Sequence, residues 1–501
     1  MHIGLVLEMA SEGLGERIAL GSAQGGLTFA QVLARSRAAG AELARRDIGT
    51  IAYVGLNSEA FPIALFASAW AGRPFAPLNY RLPDADLRRI LGRTAPGLAI
   101  VDDDLIHRVA GVEGVTLMTR SAFLAAARQT QASPDAQPPD PESVAVLLFT
   151  SGTTGEPKAA VLRHRHLTSY VISTVDFMGA AGDEAALISV PPYHIAAVSA
   201  ALTSTYVGRR TVHLEAFTPE DWVRVAREER ITHAMVVPTM LGRILDLLER
   251  EGGTLPHLRH LSYGGGRMPA PTIERALHLL PHVSFVNAYG LTETSSTIAV
   301  LTPEDHRAAV ANSDPRARAR LASVGRPLPT IELEIRDPTG KPVQRGQEGE
   351  IWVRGEQVSG EYLHKKALRP DGWFPTNDCG WLDEEGFLFL GGRLDDVIVR
   401  GGENISPGEI EDVLRGHPDV EDVAVIGLPD VEWGERIIAV VVSRGAGQPQ
   451  ALRQWVRERL RSTKTPEQIV YRTALPYTET GKLLRRALKQ ELSRAAERTS
   501  S

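Results

Sequence analysis

Two short stretches carry residue types suited to holding a polyphosphate. The first is TSGTTGEPK, Thr150 to Lys158. Thr150, Ser151, Thr153 and Thr154 offer hydroxyls, Gly152 and Gly155 let backbone amides approach an anion closely, and Lys158 adds a mobile positive charge. A P-loop reads G-x-x-x-x-G-K-[ST] and opens into a helix. Here Lys158 follows a proline, and Ala159 takes the Ser/Thr place. The second stretch is NAYGLTET, Asn287 to Thr294. Glu293 can hold a divalent cation that bridges phosphate oxygens, Thr292 can bond a phosphate, and Tyr289 offers a flat face to a base. The same residues also suit a helix N-terminus, with Thr292 as cap and Glu293 on the dipole. Between the two lies SYGGG, where Gly264, Gly265 and Gly266 either admit something planar or simply turn the chain.

These residues need strands to position them. The run VAVLLF, residues 144 to 149, reads as a strand buried on both faces. The first loop then sits at its C-terminal end, where open α/β sheets place ligands. AALISV, TVHLEA, ITHAMVV, HLSYGGG and VSFVNAY read as further strands. FTPEDWVRVAREER, MLGRILDLLERE and PTIERALHLL read as helices between them, the first capped by Thr218 with Pro219 in its first turn. Such alternation predicts an α/β fold with a largely parallel sheet. From about residue 320 to 394, IELEIRD, GEIWVRG and GFLFLGG predict a small β-rich subdomain. Residues 395 to 501 alternate helix and strand again and predict a separate α+β domain, leaving 1 to 394 as the large N-terminal domain. The stretch 129 to 143, rich in Pro and small polar residues, predicts an exposed loop.

The whole chain sets further bounds. It has 501 residues, 43% hydrophobic and 23% charged, which suits a globular protein of two or more domains. A net charge of −6 does not favour non-specific nucleic-acid binding. The lone cysteine, Cys379, excludes an intrachain disulfide and any multi-cysteine metal site, and fits a reducing compartment. The N-terminal run lacks a basic region and holds Glu8, so a signal peptide is not expected. AFPIALFASAWAG is too short to span a bilayer and reads as a buried helix. A cytoplasmic protein is expected.

TSGTTGEPK, YGLTE, GEIWVRG, TND, GRLDDVIVRGGENISPGEIE and TGKLLRRAL occur in the order of the acyl-adenylate-forming superfamily, and the chain resembles its acyl- and aryl-CoA ligases over nearly its whole length. The resemblance implies an AMP-forming ligase that joins a carboxylic acid to coenzyme A (CoA) through an acyl-adenylate, using ATP and Mg²⁺. The loop Thr150–Lys158 would hold the phosphates that leave as pyrophosphate. Tyr289, with Gly290 beside it, would stack on adenine, with the Gly264–Gly266 backbone on the other side and Asn287 near the adenine edge. Thr292 would contact the α-phosphate, and Glu293, with Thr150, would bind Mg²⁺. Asp378 and Arg393 would grip the ribose. Lys482 would bridge the carboxylate and the α-phosphate. Asp395 matches a hinge about which the C-terminal domain turns between half-reactions. Gly401 and Gly402 would then line a channel for the pantetheine arm.

Arg81 and Trp433 stand where some CoA ligases contact the nucleotide end of CoA, and a surface arginine and a packing tryptophan are the plainer readings. His194, in PPYHIAAV, matches a residue beside the acyl pocket, or is simply structural. Tyr193, Met240 and Gly265 belong to the segments expected to line that pocket. These segments carry little fixed charge, which favours a neutral-tailed fatty or aromatic acid. A carrier-protein acceptor and a catalytically silent ligand-binding relative are the alternatives. A monomer or homodimer is expected. The sequence departs from the commoner pattern at TND, where Asn377 replaces glycine, and at Ala159.

Overall fold

A computed structural model describes residues 1–129, 139–150, 157–400, 403–430, 433–445, 447–478 and 483–500. The chain divides into two compact units, Met1–Glu332 with Val353–Phe374, and Leu333–Trp352 with Pro375–Ser501. The boundary expected at 394/395 falls inside the second unit.

Two sheets build the first unit. One has a parallel core of Thr50–Val54, Phe75–Pro77, Gly97–Val101, Val115–Thr119 and Val144–Thr150. The helix Ala60–Trp70 is buried at every residue, because it is apolar all round. The other sheet has a parallel core that includes Ala185–Ile188, Arg210–His213, His233–Val236, His260–Gly264 and Ser284–Leu291. Its helix Pro219–Glu228 starts as the sequence predicts: the Thr218 hydroxyl accepts the Asp221 N–H at 3.0 Å, and Pro219 fills the first position. Trp222 on that helix is fully buried in the core.

Both candidate phosphate motifs end their strands in a way that alternation alone does not reveal. Val144–Thr150 returns as the antiparallel strand Lys158–Arg163, and Ser284–Leu291 returns as Ser296–Leu301. Antiparallel partners need only a short connection, so each motif joins two neighbouring strands. The second connection is a three-residue 3₁₀ turn, Thr292–Thr294, rather than the N-terminus of a long helix. It closes through Ser295 at φ +57°, an uncommon value for a residue other than glycine. Gly290 is required by this closure: a Cβ there would lie 1.7 Å from the Ser296 carbonyl oxygen.

Glu332–Arg336, Gly349–Arg354, Phe374–Leu382 and Leu388–Arg393, whose residues fall mostly in the second unit, form the expected β-rich sheet. A second sheet centres on the long hairpin Val420–Asp430 and Gly434–Ser443, with Gln468–Arg472 parallel at its side. The apolar runs of that hairpin are buried, and the helices Pro407–Arg415 and Pro449–Arg457 supply Ile410, Leu414, Leu452 and Val456 to the core. No helix among the described residues is long and apolar enough to cross a membrane.

Candidate functional site

At the end of the strand Val144–Thr150, the Thr150 hydroxyl donates to the Lys158 carbonyl at 3.4 Å, across the first rung of the hairpin. Lys158 is exposed. Its ammonium lies 5.9 Å from the ring of Tyr362. Ser151, Gly152, Thr153, Thr154 and Gly155 lie outside the described residues, as do Gly401, Gly402 and Lys482.

Tyr362 links this hairpin to the acidic turn. Its hydroxyl donates to Glu293 Oε1 at 2.7 Å. Its backbone pairs with Ala160 on the strand Lys158–Arg163, and the Leu363 N–H donates to Ala159 O at 2.9 Å. Beside it, Glu361 takes both Arg163 Nε and Nη2, at 3.0 and 2.8 Å, in a two-pronged ion pair. The Ser359 and Gly360 N–H groups donate to the Glu293 carbonyl at 2.8 and 3.2 Å, and the Ser359 hydroxyl reaches the Val161 carbonyl. Gln357, itself buried, donates to the carbonyls of Thr294 and Thr297 at 3.0 and 2.8 Å, while the Ser295 hydroxyl donates to the Gln357 carbonyl at 2.9 Å. The segment from Gln357 to Leu363 therefore stitches the two motifs together. The sequence reading missed Gln357, Ser359 and Tyr362. Their signal lies in contacts some 60 to 200 residues away in the chain, which no local pattern reports.

Glu293 is 9% exposed and carries one carboxylate oxygen on Tyr362. No group of three or more His, Cys, Asp or Glu suited to a metal occurs among the described residues. A single carboxylate with hydroxyl neighbours fits Mg²⁺, a hard cation usually held by one or two carboxylates plus substrate phosphates. Thr292 is half-buried in the same turn.

The first of the three glycines pairs with the residue before Tyr289. Gly264 pairs with Ala288 on the neighbouring strand, and a Cβ on it would meet the Ala288 oxygen at 2.3 Å. Gly265 turns the chain at φ +78° and is exposed, with Gly266 next to it. Tyr289 is 9% exposed. Asn287 is buried, and its side-chain amide donates to Ser323 O at 3.0 Å, so that amide secures the strand to the segment Arg320–Ala322 and its C-cap.

Tyr193 and His194 stand together, half-buried, with ring centres 5.8 Å apart, at the start of the helix Ile195–Val207. Burial, with the neighbouring Tyr80, pushes the Tyr193 phenol up to about 12. Tyr80 packs edge-on against Tyr193 at 5.9 Å, and Arg81 covers Tyr80 from 5.2 Å while donating Nε to its hydroxyl. Arg81 thus belongs to an aromatic ladder that ends at His194. Asn57, in the turn after the strand Thr50–Val54, donates its buried amide to Val190 O at 2.9 Å and Leu214 O at 3.2 Å. It hangs the turn bearing Tyr193 and His194 from the other sheet. Met240 is buried in the apolar core with Trp222, Leu241 and Ile244.

In the second unit, Asp378 pairs in register with Arg393, and Arg393 Nη1 lies 3.1 Å from Asp378 Oδ1. Asn377 next to it has φ +64° and donates its amide to Asp395 at 2.8 Å. Cys379 is buried; burial, with Glu348, Glu350 and Asp378 nearby, pushes its thiol up to about 12. Such a buried, protonated thiol suits packing rather than nucleophilic attack. Trp433 is exposed, with the Arg400 guanidinium 4.9 Å from its ring, a neighbour the sequence reading did not name. Arg400 in turn pairs with Glu467 at 2.5 Å.

Comparison with known proteins places this geometry in context. The family model described as AMP-binding enzyme matches residues 7–363, and that described as AMP-binding enzyme C-terminal domain matches residues 409–482. The chain is 35% identical over 447 residues to a feruloyl-CoA synthase from Amycolatopsis sp, covering 87% of each. It is 32% identical over 457 residues to a fatty acid–[acyl-carrier-protein] ligase from Streptomyces coeruleorubidus, covering 88% of this chain and 86% of the relative. The solved o-succinylbenzoate CoA synthetase from Bacillus subtilis, in complex with its acyl-adenylate intermediate, aligns with a TM-score of 0.84 at 28% identity over 97% of both chains. The same protein in complex with ATP and a magnesium ion aligns at 0.83, with 28% identity over 97% of this chain and 99% of that one.

Proposed function

Because the chain belongs to the AMP-binding enzyme family, we propose that it joins a carboxylic acid to CoA through an acyl-adenylate, consuming ATP and releasing pyrophosphate and AMP. The observation that carries this reading is Tyr362, whose strand pairs with the Lys158 hairpin while its hydroxyl holds Glu293. Cation and carboxylate are thereby set at the adjoining ends of two motifs.

In the first half-reaction, a substrate carboxylate oxygen bonds to the α-phosphorus, and the bond from that phosphorus to the β-phosphate bridging oxygen breaks. Pyrophosphate leaves with the bonding pair. Both reactants are anions, so the chain's work is to position them and to supply positive charge. Lys158 and the loop before it face the departing phosphates, and Lys482 bridges the carboxylate and the α-phosphate. Tyr289 and the Gly264–Gly266 backbone enclose the adenine, Thr292 holds the α-phosphate, and the Asp378–Arg393 pair meets the ribose. Glu293, with Thr150, would hold Mg²⁺, which would supply positive charge against the phosphates. In the second half-reaction, the CoA sulfur attacks the acyl carbonyl carbon, the carbon–oxygen bond to AMP breaks, and the thiol proton passes to solvent. The domain from residue 395 turns about Asp395 between the steps, bringing Gly401 and Gly402 to the pantetheine arm. Arg81 and Trp433 meet the nucleotide end of CoA.

Tyr193 and His194 frame a pocket for a neutral-tailed fatty or aromatic acid, with Gly265 and Met240 in the segments that bound it. The exposed Arg243 stacks over Phe217 and offers no buried counter-charge for a second carboxylate. A single buried thiol suits a cytoplasmic enzyme, working as a monomer or homodimer. The similarity to a carrier-protein ligase favours one second reading, in which the acyl group passes to a carrier's pantetheine instead of to CoA. Pyrophosphate release with a panel of fatty and aromatic acids, with and without CoA and with products weighed by mass spectrometry, tests both. Acyl-CoA and AMP support the ligase; an adenylate that CoA does not discharge supports the carrier reading. No pyrophosphate from any acid, in a chain that binds ATP, would overturn both.

A further inference from the structure

Asn377 occupies a backbone conformation, φ +64°, that favours glycine and that asparagine tolerates better than most other side chains. Its N–H donates to Glu350 Oε1 at 3.1 Å, and Glu350 Oε2 accepts from Trp352 Nε1 at 2.8 Å, so the backbone is anchored. Its side-chain amide then reaches Asp395 Oδ2 at 2.8 Å. The next residue, Asp378, grips Arg393. Two consecutive residues of one strand thus hold residues 393 and 395 at the foot of the next, where the 3₁₀ turn Leu394–Asp396 leads to the strand Ile398–Arg400.

We propose that Asn377 is a positioning residue for the two-step reaction: its amide latches Asp395, and with it the turn Leu394–Asp396, so that this side chain sets the balance between the half-reactions. The inference rests on the reading of Asp395 as the hinge. Pivoting at Asp395 must move its carboxylate relative to the anchored Asn377 and break this bond. The bond is exposed, so it can break and re-form within a catalytic cycle. A glycine at this position would turn the chain equally well and leave the hinge unlatched. The Asp378–Arg393 rung lies directly beside the latch, so a nucleotide on Asp378 would bear on the same turn.

Asn377→Gly keeps the favoured backbone and deletes the bond; Asn377→Asp keeps the shape and sets a carboxylate against Asp395. Two measurements are made on the full chain: amide hydrogen exchange over residues 394–400, and the separate rates of acyl-adenylate formation and of thioester formation. One modest hydrogen bond corresponds to about a three- to tenfold effect. Both variants are expected to exchange faster by that factor. They are also expected to shift the ratio of the two rates by at least about threefold, with KM for ATP within about twofold. An unchanged ratio overturns the proposal whatever the exchange shows. A shifted ratio with unchanged exchange removes the latch as its cause. A parent chain that forms no adenylate overturns the functional reading instead, and the exchange data still judge the latch.

Discussion

The Tyr362 hydroxyl sits 2.7 Å from Glu293 Oε1, and the two residues come from segments that never pair as strands. The bond fixes which way the carboxylate turns, and the ring that makes it also lies under Lys158. Tyr362→Phe should therefore leave the fold intact while freeing Glu293. The Mg²⁺ concentration giving half-maximal ATP binding, read by calorimetry, is expected to rise about three- to tenfold, the worth of one ordinary hydrogen bond. An unchanged Mg²⁺ dependence would show that Glu293 is not the cation's ligand.

Lys482→Ala tests the charge that the adenylation step requires. By analogy with the loss of one oxyanion donor, pyrophosphate release should fall on the order of a hundred- to thousandfold, roughly 3–4 kcal/mol. Thioester formation from pre-formed acyl-adenylate should change far less. Equal loss of both steps would assign Lys482 a structural role.

Two buried histidines at the start of the helix His164–Thr174 make stability pH-dependent. Burial holds both His164 and His166 down to about 3, and for His166 the neighbouring Arg165 and Arg163 add to the effect. The unfolded chain takes up these protons near 6.5, whereas the folded chain resists until about 3. Their stability is fully present above about pH 6.5 and is lost as pH falls from there towards 3. Each should cost roughly 2 kcal/mol between pH 7 and pH 5. His166 Nδ1 accepts the Arg163 N–H at 3.2 Å, a role the side-chain oxygen of asparagine can copy without titrating. Urea unfolding of His166→Asn at both pH values should show a pH dependence smaller by about that amount. An identical slope would refute the assignment.

Cys379 gives a chemical check on the β-rich sheet. With its thiol pushed up to about 12, only a trace is thiolate at pH 8. Alkylation of the native chain should run on the order of a thousandfold slower than in urea. Cys379→Ser should keep both half-reactions. Rapid labelling of native protein would mean that this strand opens readily.

The sequence reveals the elements and leaves their joins obscure. Val144–Thr150 is legible because an unbroken apolar run has few other uses, and Pro219 after Thr218 marks a helix start. The antiparallel return after each motif is not legible, since a polar loop looks the same whether a helix or a strand follows. Tyr362 is the sharper case. It lies in EYLHKK, with no spacing that ties it to Glu293, and only the sheet brings them together. Asn377 is legible as a departure from glycine, but its meaning depends on where its amide points. Asn287, expected near the adenine edge, also has its amide committed to Ser323, a use that only the folded chain displays.

The tether at Asn57 has a practical corollary for anyone altering acid preference. The turn bearing Tyr193 and His194 reads as a portable cassette, about seven codons that could be exchanged between relatives. Its backbone at Val190, however, hangs from an amide encoded more than a hundred residues earlier. A swap that leaves position 57 behind would transplant the right side chains onto a slack support. On the proposed role of Tyr193 and His194, the unit to be moved is discontinuous in the gene, and grafts that carry Asn57 with the turn should transfer acid preference more faithfully than grafts of the turn alone.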